Sequence, residues 1–394
     1  MNIGMILDSN FPPDPRVENE AIELIKHKHN VFLFCLTYGN EILCEEINKI
    51  KVRRYLSSKL EYKLSALAYT IPLYTKIMEL KIRKFLFDNN IEAIHIHDIR
   101  IAESVFNVNK KMKLPVILDL HDNMPENMKF YPHLNKFPGK YIISPEKWKQ
   151  KEEEFIKKAN KIITVSPEFV EEIVYRTKID AEKILLVPNT IRKAFYENVI
   201  IDREIVKKYK DKFVLLYLGD THLRRGLQTA ISSAVKLSKQ IENFKLVIVG
   251  ENTTDIILKK QVKNLNIERF VDFEGWQNVS LFPSYIKASS ICISPLHRNA
   301  QHDVAYANKI FQYMSLGKPL LVSNAIAQKK LIEKVNCGLV HKEKNSDDFT
   351  NKVLALYNDK NLATKLGENG KDFVRNEFLW EHTSKSLVAL YDNL

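Results

Sequence analysis

At 394 residues the chain is longer than one typical core, and a prior of about 150 residues per domain predicts two domains. Its 45% hydrophobic share suits soluble globular cores, and no apolar run approaches the roughly 18 residues of a membrane-spanning helix. The four cysteines make neither a Cys-x-x-Cys pair nor a zinc-type cluster, so reduced thiols are expected. The net charge of +12 comes without the stacking aromatics or modules of a nucleic-acid binder, and no nucleic acid is expected as a partner.

The chain opens Met1-Asn2-Ile3-Gly4-Met5-Ile6-Leu7-Asp8, where an acid closes a short apolar run. This predicts a buried strand at Ile3–Leu7 and no signal peptide. Further strands are predicted at Val31–Leu36, Val52–Tyr55, Ala93–His97, Val116–Leu120, Ile162–Val165 and Ile184–Val187. Most are Val/Ile-rich runs without strict alternation, the pattern of strands buried on both faces of a parallel sheet. Helical patterns fall between them, one starting at Ser166-Pro167-Glu168 with serine as cap and proline in the first turn. Between Lys51 and Lys84 nine basic residues stand against Glu61 and Glu79, while Leu60, Leu64, Leu67, Ile71, Tyr74, Met78 and Phe85 recur at near-helical spacing. Such a segment can lie on an anionic membrane surface, or it is a solvated helix, kinked at Pro72, that covers a sheet. His95 and His97 share one strand face, but no further ligand is evident from the sequence and no metal is expected.

After Asn189 the chain turns polar, and the pattern restarts at Phe213–Gly219 with further runs at Leu246–Val249, Phe270–Phe273, Ile291–Ser294, Leu320–Ser323 and Gly338–Val340. Two such blocks predict an α/β protein of two Rossmann-like doubly wound domains. In open parallel sheets ligands bind beyond the carboxyl ends of the strands, which directs attention to a few loops. Asp14-Pro15-Arg16-Val17-Glu18-Asn19-Glu20-Ala21 opens the first helix, where Arg16 either reaches a phosphate or acceptor or pairs with Glu20 four residues on. His121-Asp122-Asn123-Met124-Pro125 follows a strand directly. Gly219, ending another strand, lets a ligand approach closely, and Arg225 six residues later offers a fork of donors suited to phosphate. Asn308 to Ser323 reads as an amphipathic helix with Lys309 and Gln312 three apart, a stop at Gly317, Pro319 and a short buried strand.

Taken in order, these segments resemble family 4 of the nucleotide-sugar glycosyltransferases. That family's donor helix reads Lys-x-x-Glu-Tyr-Met-Ala-x-Gly-Lys-Pro, against Lys309-Ile310-Phe311-Gln312-Tyr313-Met314-Ser315-Leu316-Gly317-Lys318-Pro319 here. Gly219 and Arg225-Gly226 match its pattern of glycine, five intervening residues and then Lys/Arg-Gly, and His121 stands where the family places a histidine beside the transferred sugar. Smaller agreements include Val165-Ser166, Val187-Pro188-Asn189-Thr190, Val249-Gly250-Glu251 and Phe273-Glu274-Gly275. The chain departs from the family at Asp14–Ala21, which lacks a glycine pair, and at Asp220, where a second basic residue is common. It also lacks both glutamates of the family's best-known signature: Gln312 replaces the second, and Val304 the first, with Asp303 one residue away.

The resemblance implies a GT-B architecture of two domains facing a central cleft: residues 1–195 on the acceptor side, 205–375 binding the nucleotide sugar, and 376–394 packing back on the first domain. It implies a metal-independent, retaining transfer from a nucleoside-diphosphate sugar to a glycan or lipid-linked acceptor in cell-envelope synthesis, with no cofactor. His121 would be the catalytic-site residue; Gly219, Arg225, Asn308, Lys309 and Gln312 would hold the donor; Arg16 and Asp303 would add contacts to phosphate or acceptor. A cytoplasmic protein, peripheral at the inner membrane face through residues 51–84, is expected. The missing acids leave open a GT-B-shaped partner subunit without catalysis, and a nucleotide-sugar epimerase on the same fold is a further alternative.

Overall fold

The computed structural model describes the whole chain apart from Pro132, His133, Asn135, Lys136, Pro138 and Asn198. It divides into two compact units, Met1–Asn189 with Ser384–Leu394, and Thr190–Thr383.

The first unit holds β1 (Asn2–Ile6), β2 (Asn30–Thr37), β3 (Cys44–Ile47), β4 (Ile50–Leu56), β5 (Ala93–His97), β6 (Val116–Leu120), β7 (Lys161–Thr164) and β8 (Ile184–Leu186). They form one sheet in the order β3-β4-β2-β1-β5-β6-β7-β8, parallel except for the β3–β4 pair. The order reverses between β1 and β5, so this sheet opens its crevice at the ends of those strands. Of the antiparallel edge pair, β4 was expected at Val52–Tyr55 and β3 was not. Cys44-Glu45-Glu46-Ile47 has little strand character by itself and is recruited by a tight turn in which Asn48 and Lys49 both take positive φ, 50° and 67°.

The basic segment is not one kinked helix. Ser58 caps a short helix, Lys59–Ser65, and a second begins at Leu73 directly after Pro72, whose ring cannot sit inside a continuous helix. Tyr74, Met78 and Phe85 are buried under the second helix, whereas Leu60, Tyr62, Ile71 and Leu73 stay exposed. Part of the charge is used internally: Arg54 is buried on Phe11 and Ile42 carbonyls and pairs with Glu45, and Lys81 pairs with Glu61.

The second unit holds β9 (Phe213–Leu218), β10 (Phe244–Val249), β11 (Val271–Gly275), β12 (Ile291–Ser294), β13 (Leu320–Ser323) and β14 (Gly338–His341). Its sheet is wholly parallel in the order β11-β10-β9-β12-β13-β14, reversing between β9 and β12. The uniform apolar character of β9 has a direct cause. Leu215 and Tyr217 enter a core with the helix Leu227–Gln240, while Val214, Leu216 and Leu218 enter the core on the other face with Ile310, Phe311 and Met314.

Helix starts follow the capping chemistry. Asp14 accepts from the amides of Arg16 and Val17, and Ser166 from that of Phe169, each with proline as the first helical residue. The terminal segment is split rather than continuous. Trp380–Thr383 stays with the second unit, through a Trp380 amide bonded to the Ile191 carbonyl, and Lys385–Asp392 belongs to the first. Among the described residues no helix is long and apolar enough to cross a membrane.

Candidate active site

Each unit gathers polar residues at the carboxyl edge of its sheet. In the second unit the reversal between β9 and β12 brings the loop after Gly219 beside the loop after Ser294, and the His297 amide donates to the Arg224 carbonyl at 3.0 Å. Gly226 makes this possible: its φ is +76°, and a Cβ there would lie 1.8 Å from the Pro295 carbonyl oxygen. No other residue fits.

Lys309 is placed by the helix Lys309–Ser315 with its Nζ 3.4 Å from the centre of the Tyr217 ring. That nitrogen is buried and has no hydrogen-bond partner among the described residues. Burial, reinforced by the nearby positive charge of Arg225, pushes the Lys309 ammonium well below the usual lysine range. A Cβ at Gly219, where φ is +102°, would sit 3.5 Å from the same nitrogen, so the glycine keeps the space before Lys309 open. Arg225 is three-quarters buried and pairs through Nε with Asp220 at 3.1 Å, while Asn252 donates to the other Asp220 oxygen at 2.8 Å. Asp220 therefore orients Arg225, and the Lys309 nitrogen is left without a hydrogen-bond partner among the described residues. Asn308 is exposed at the start of the helix, and Gln312 is half-buried with a side chain that makes no hydrogen bond among the described residues. Asp303 is turned to another task, accepting from the Arg298 guanidinium and from the Ile326 amide at 3.0 Å.

In the first unit β5 and β6 deliver a buried network. His121 Nδ1 lies 3.3 Å from Asp119 and its Nε2 lies 3.2 Å from Asp98. Burial opposes the charged ring, but the Asp98 carboxylate and the bonds to both acids outweigh it and hold His121 well above the usual histidine range. With both nitrogens committed as donors, this imidazolium cannot serve as a base. Asp98 reaches it from a left-handed backbone, φ +60°, one residue beyond β5.

Arg16 departs from its expected position as a ligand contact. It is almost fully buried, with Nε and Nη2 on Asp119 at 2.8 Å, Nη2 on Glu20 at 2.9 Å and Nη1 on the Val187 carbonyl at 3.2 Å. Every nitrogen of its fork is used within the unit. Burial raises Asp119, but Arg16 outweighs it and keeps that carboxyl well below the usual range. Glu20, His95, His97 and Asp119 bring metal-capable atoms within 4.8 Å of one another, yet the cation between the two carboxylates is the Arg16 guanidinium. His95 Nδ1 also meets the Tyr391 hydroxyl at 2.8 Å. Asp98 and Asp119 escaped sequence reading as site residues. The one available signal was an aspartate inside the apolar run Val116-Ile117-Leu118-Asp119-Leu120, where a buried charge demands a partner.

Two Rossmann-like units with parallel sheets, one carrying a buried, unpartnered lysine nitrogen and an arginine beyond the strand that ends at Gly219, are the architecture of the GT-B class of proteins. The family comparisons are more specific. Residues 198–373 match the model described as glycosyl transferases group 1, and residues 16–194 match that of glycosyltransferase family 4. Together the two cover most of the chain, which belongs to the family 4-type glycosyltransferases. An uncharacterized glycosyltransferase of Methanocaldococcus jannaschii is 22% identical over 60% of this chain and 59% of its own. The alpha-monoglucosyldiacylglycerol synthase of Streptococcus pneumoniae is 23% identical over 75% of this chain and 66% of its own. The chain spans about three fifths of the length of the curated relatives it first matches. Among solved structures, sucrose-phosphate synthase from Thermosynechococcus elongatus superposes with a TM-score of 0.81 at 16% identity, covering 100% of this chain and 98% of that one.

Proposed function

We propose that the protein is a retaining, metal-independent glycosyltransferase that moves a sugar from a nucleoside diphosphate to a lipid-linked or glycan acceptor at the cell envelope. The observation that carries this reading is the Lys309 nitrogen, buried without a hydrogen-bond partner among the described residues beside the space at Gly219 and next to Arg225. A buried cation without a counter-charge is costly, and a diphosphate supplies two negative charges at that place. In the proposed reaction the bond from the sugar's anomeric carbon to the diphosphate breaks as the acceptor oxygen attacks from the same face. The acceptor's proton passes to the departing diphosphate oxygen. Lys309 and Arg225 stabilise the charge that builds there. Gln312 would accept one ribose hydrogen bond and donate another. His121 would act as a positioning residue whose fixed positive charge, held by Asp98 and Asp119, steadies the sugar. Peripheral attachment to the membrane through residues 51–84 accords with the lysines and apolar side chains that remain exposed there.

Thermal unfolding against a panel of nucleotides and nucleotide sugars tests the donor site. A bound diphosphate at 100 times its Kd should stabilise the protein by about 2.7 kcal/mol, and Arg225→Ala should remove most of that gain. Absence of a shift with every nucleotide would refute the reading. Val304 and Gln312, standing where the family carries acids, favour a second reading as a non-catalytic partner subunit. Nucleotide stabilisation without transfer to any acceptor would select it. Where transfer occurs, an α-linked product from an α-linked donor, read by NMR, checks retention.

A further inference from the structure

The first sheet reverses between β1 and β5, and just beyond those strands Asp8 and Arg100 form an ion pair, Nε to Oδ2 at 3.2 Å. Arg100 also lines a cavity of 440 Å³ within the first unit. Its deep wall is apolar and enclosed: Met124 is 8% exposed, Met128 3%, Ile143 8% and Trp148 1%. The mouth is apolar and open, with Tyr62 and Ile142 at the rim, 60% and 39% exposed. The Thr70 hydroxyl ties this rim to the start of the second basic helix by donating to the Ile142 carbonyl at 2.9 Å, which sets exposed Ile71 and Leu73 close by.

Three features distinguish this cavity from a packing defect. Its volume lies in the range of about 300–1,000 Å³ typical of ligand sites. Trp148, buried in its wall, has an indole N–H without a partner among the described residues, although buried donors are normally satisfied. Arg100 gives only Nε to Asp8, and its two terminal nitrogens make no hydrogen bond among the described residues. A guanidinium with two spare donors is suited to a phosphate. Lys63 lines the same cavity, and Lys59 lies in the same short helix, so the mouth is basic as well as apolar.

We infer that this cavity binds the hydrocarbon chain of a phosphate-bearing membrane lipid, with Arg100 on the phosphate, and so seats the acceptor beside the His121–Asp98 pair. The assignment rests on the glycosyltransferase reading for its purpose and names the acceptor class of that reading as a lipid phosphate. Asp98 is two residues from Arg100, which brings the lipid's head to the carboxyl edge of β5 and β6.

Binding of alkyl phosphates to the full chain, below their micelle concentration and followed by calorimetry, tests it. Decyl phosphate should bind on the order of a thousandfold more tightly than butyl phosphate, because the six added methylenes leave water for the cavity. Met128→Trp, which fills the cavity, should weaken decyl phosphate by about tenfold or more and leave butyl phosphate unchanged. Arg100→Gln should bring decyl phosphate down to the affinity of decanol. Ile142→Trp at the half-exposed rim provides a second blocking variant should Met128→Trp fail to fold, judged by retained thermal stabilisation with nucleotide. Chain-length dependence that survives in the blocked variant, or none in the wild type, overturns the site. If alkyl phosphates bind as expected while no nucleotide stabilises the protein, the cavity stands and the glycosyltransferase reading falls. Nucleotide stabilisation without alkyl binding gives the converse.

Discussion

Lys309 shows how a single side chain can be set against the stability of its own fold. Its ammonium is packed on the Tyr217 ring and loses its hydration, and the attraction to the ring, about 0.5–2 kcal/mol, recovers only part of that loss. Lys309→Met should therefore stabilise the free protein by about 1 kcal/mol in urea unfolding while weakening nucleotide affinity by about tenfold or more. The pH dependence has a definite sign. Because the folded-state pKa lies well below the ordinary 10.5, the unfolded chain binds more protons between those two values, and stability rises with pH through that window. Relative to Lys309→Met, the free wild-type protein should gain stability as pH is raised toward 10.5, and this gain should shrink when nucleotide gives the ammonium a partner. A flat difference between the two proteins would show that Lys309 keeps its proton at little cost.

At the scale of elements, the loops that carry Arg225 and His297 depend on one backbone conformation more than on their side chains. The turn Leu223–Arg225 ends at Gly226, which passes under the Pro295 carbonyl and starts the helix Leu227–Gln240. Gly226→Ala combines a left-handed φ with a carbonyl at 1.8 Å, so the two loops must separate. A loss of about 2–4 kcal/mol in urea unfolding is expected, together with loss of nucleotide binding. Binding retained at wild-type affinity would mean that the loops adjust without moving Arg225. The same scale explains what sequence reading missed in the basic segment. Apolar residues at helical spacing do continue through Pro72, but a proline ring and its missing amide interrupt the ladder whatever the spacing says.

At the scale of the whole molecule, both sheets reverse strand order once, and the polar residues collect at those reversals: Gly219, Arg225 and Lys309 near β9 and β12, Asp8 and Arg100 at β1 and β5. The last residues complete the first unit. Leu387 and Tyr391 are buried, Tyr391 reaches His95, and the Ser386 hydroxyl donates to the Leu186 carbonyl at 3.2 Å. Deleting residues 384–394 exposes this surface and should cost on the order of 5 kcal/mol in the first unit, at about 1.5–3 kcal/mol per large apolar side chain. Hydrogen exchange should rise across β1, β5 and β6 while the second unit stays protected. Equal exchange in both units would show that they unfold together.

The strand runs, the capped helix starts and the glycine-to-arginine spacing were legible in the chain because each depends on local chemistry: β-branched content, a capping oxygen before proline, and a residue without a Cβ at a strand end. Arg16 is the instructive contrast. Its place four residues before Glu20 was visible, but its capture by Asp119, 103 positions away, was not. The same holds for Asp98 and Asp119 on either side of His121, and for the cavity closed by Met124, Met128 and Trp148. Charges and voids buried between distant segments are settled by which strands become neighbours, and strand order is a property of the sheet as a whole.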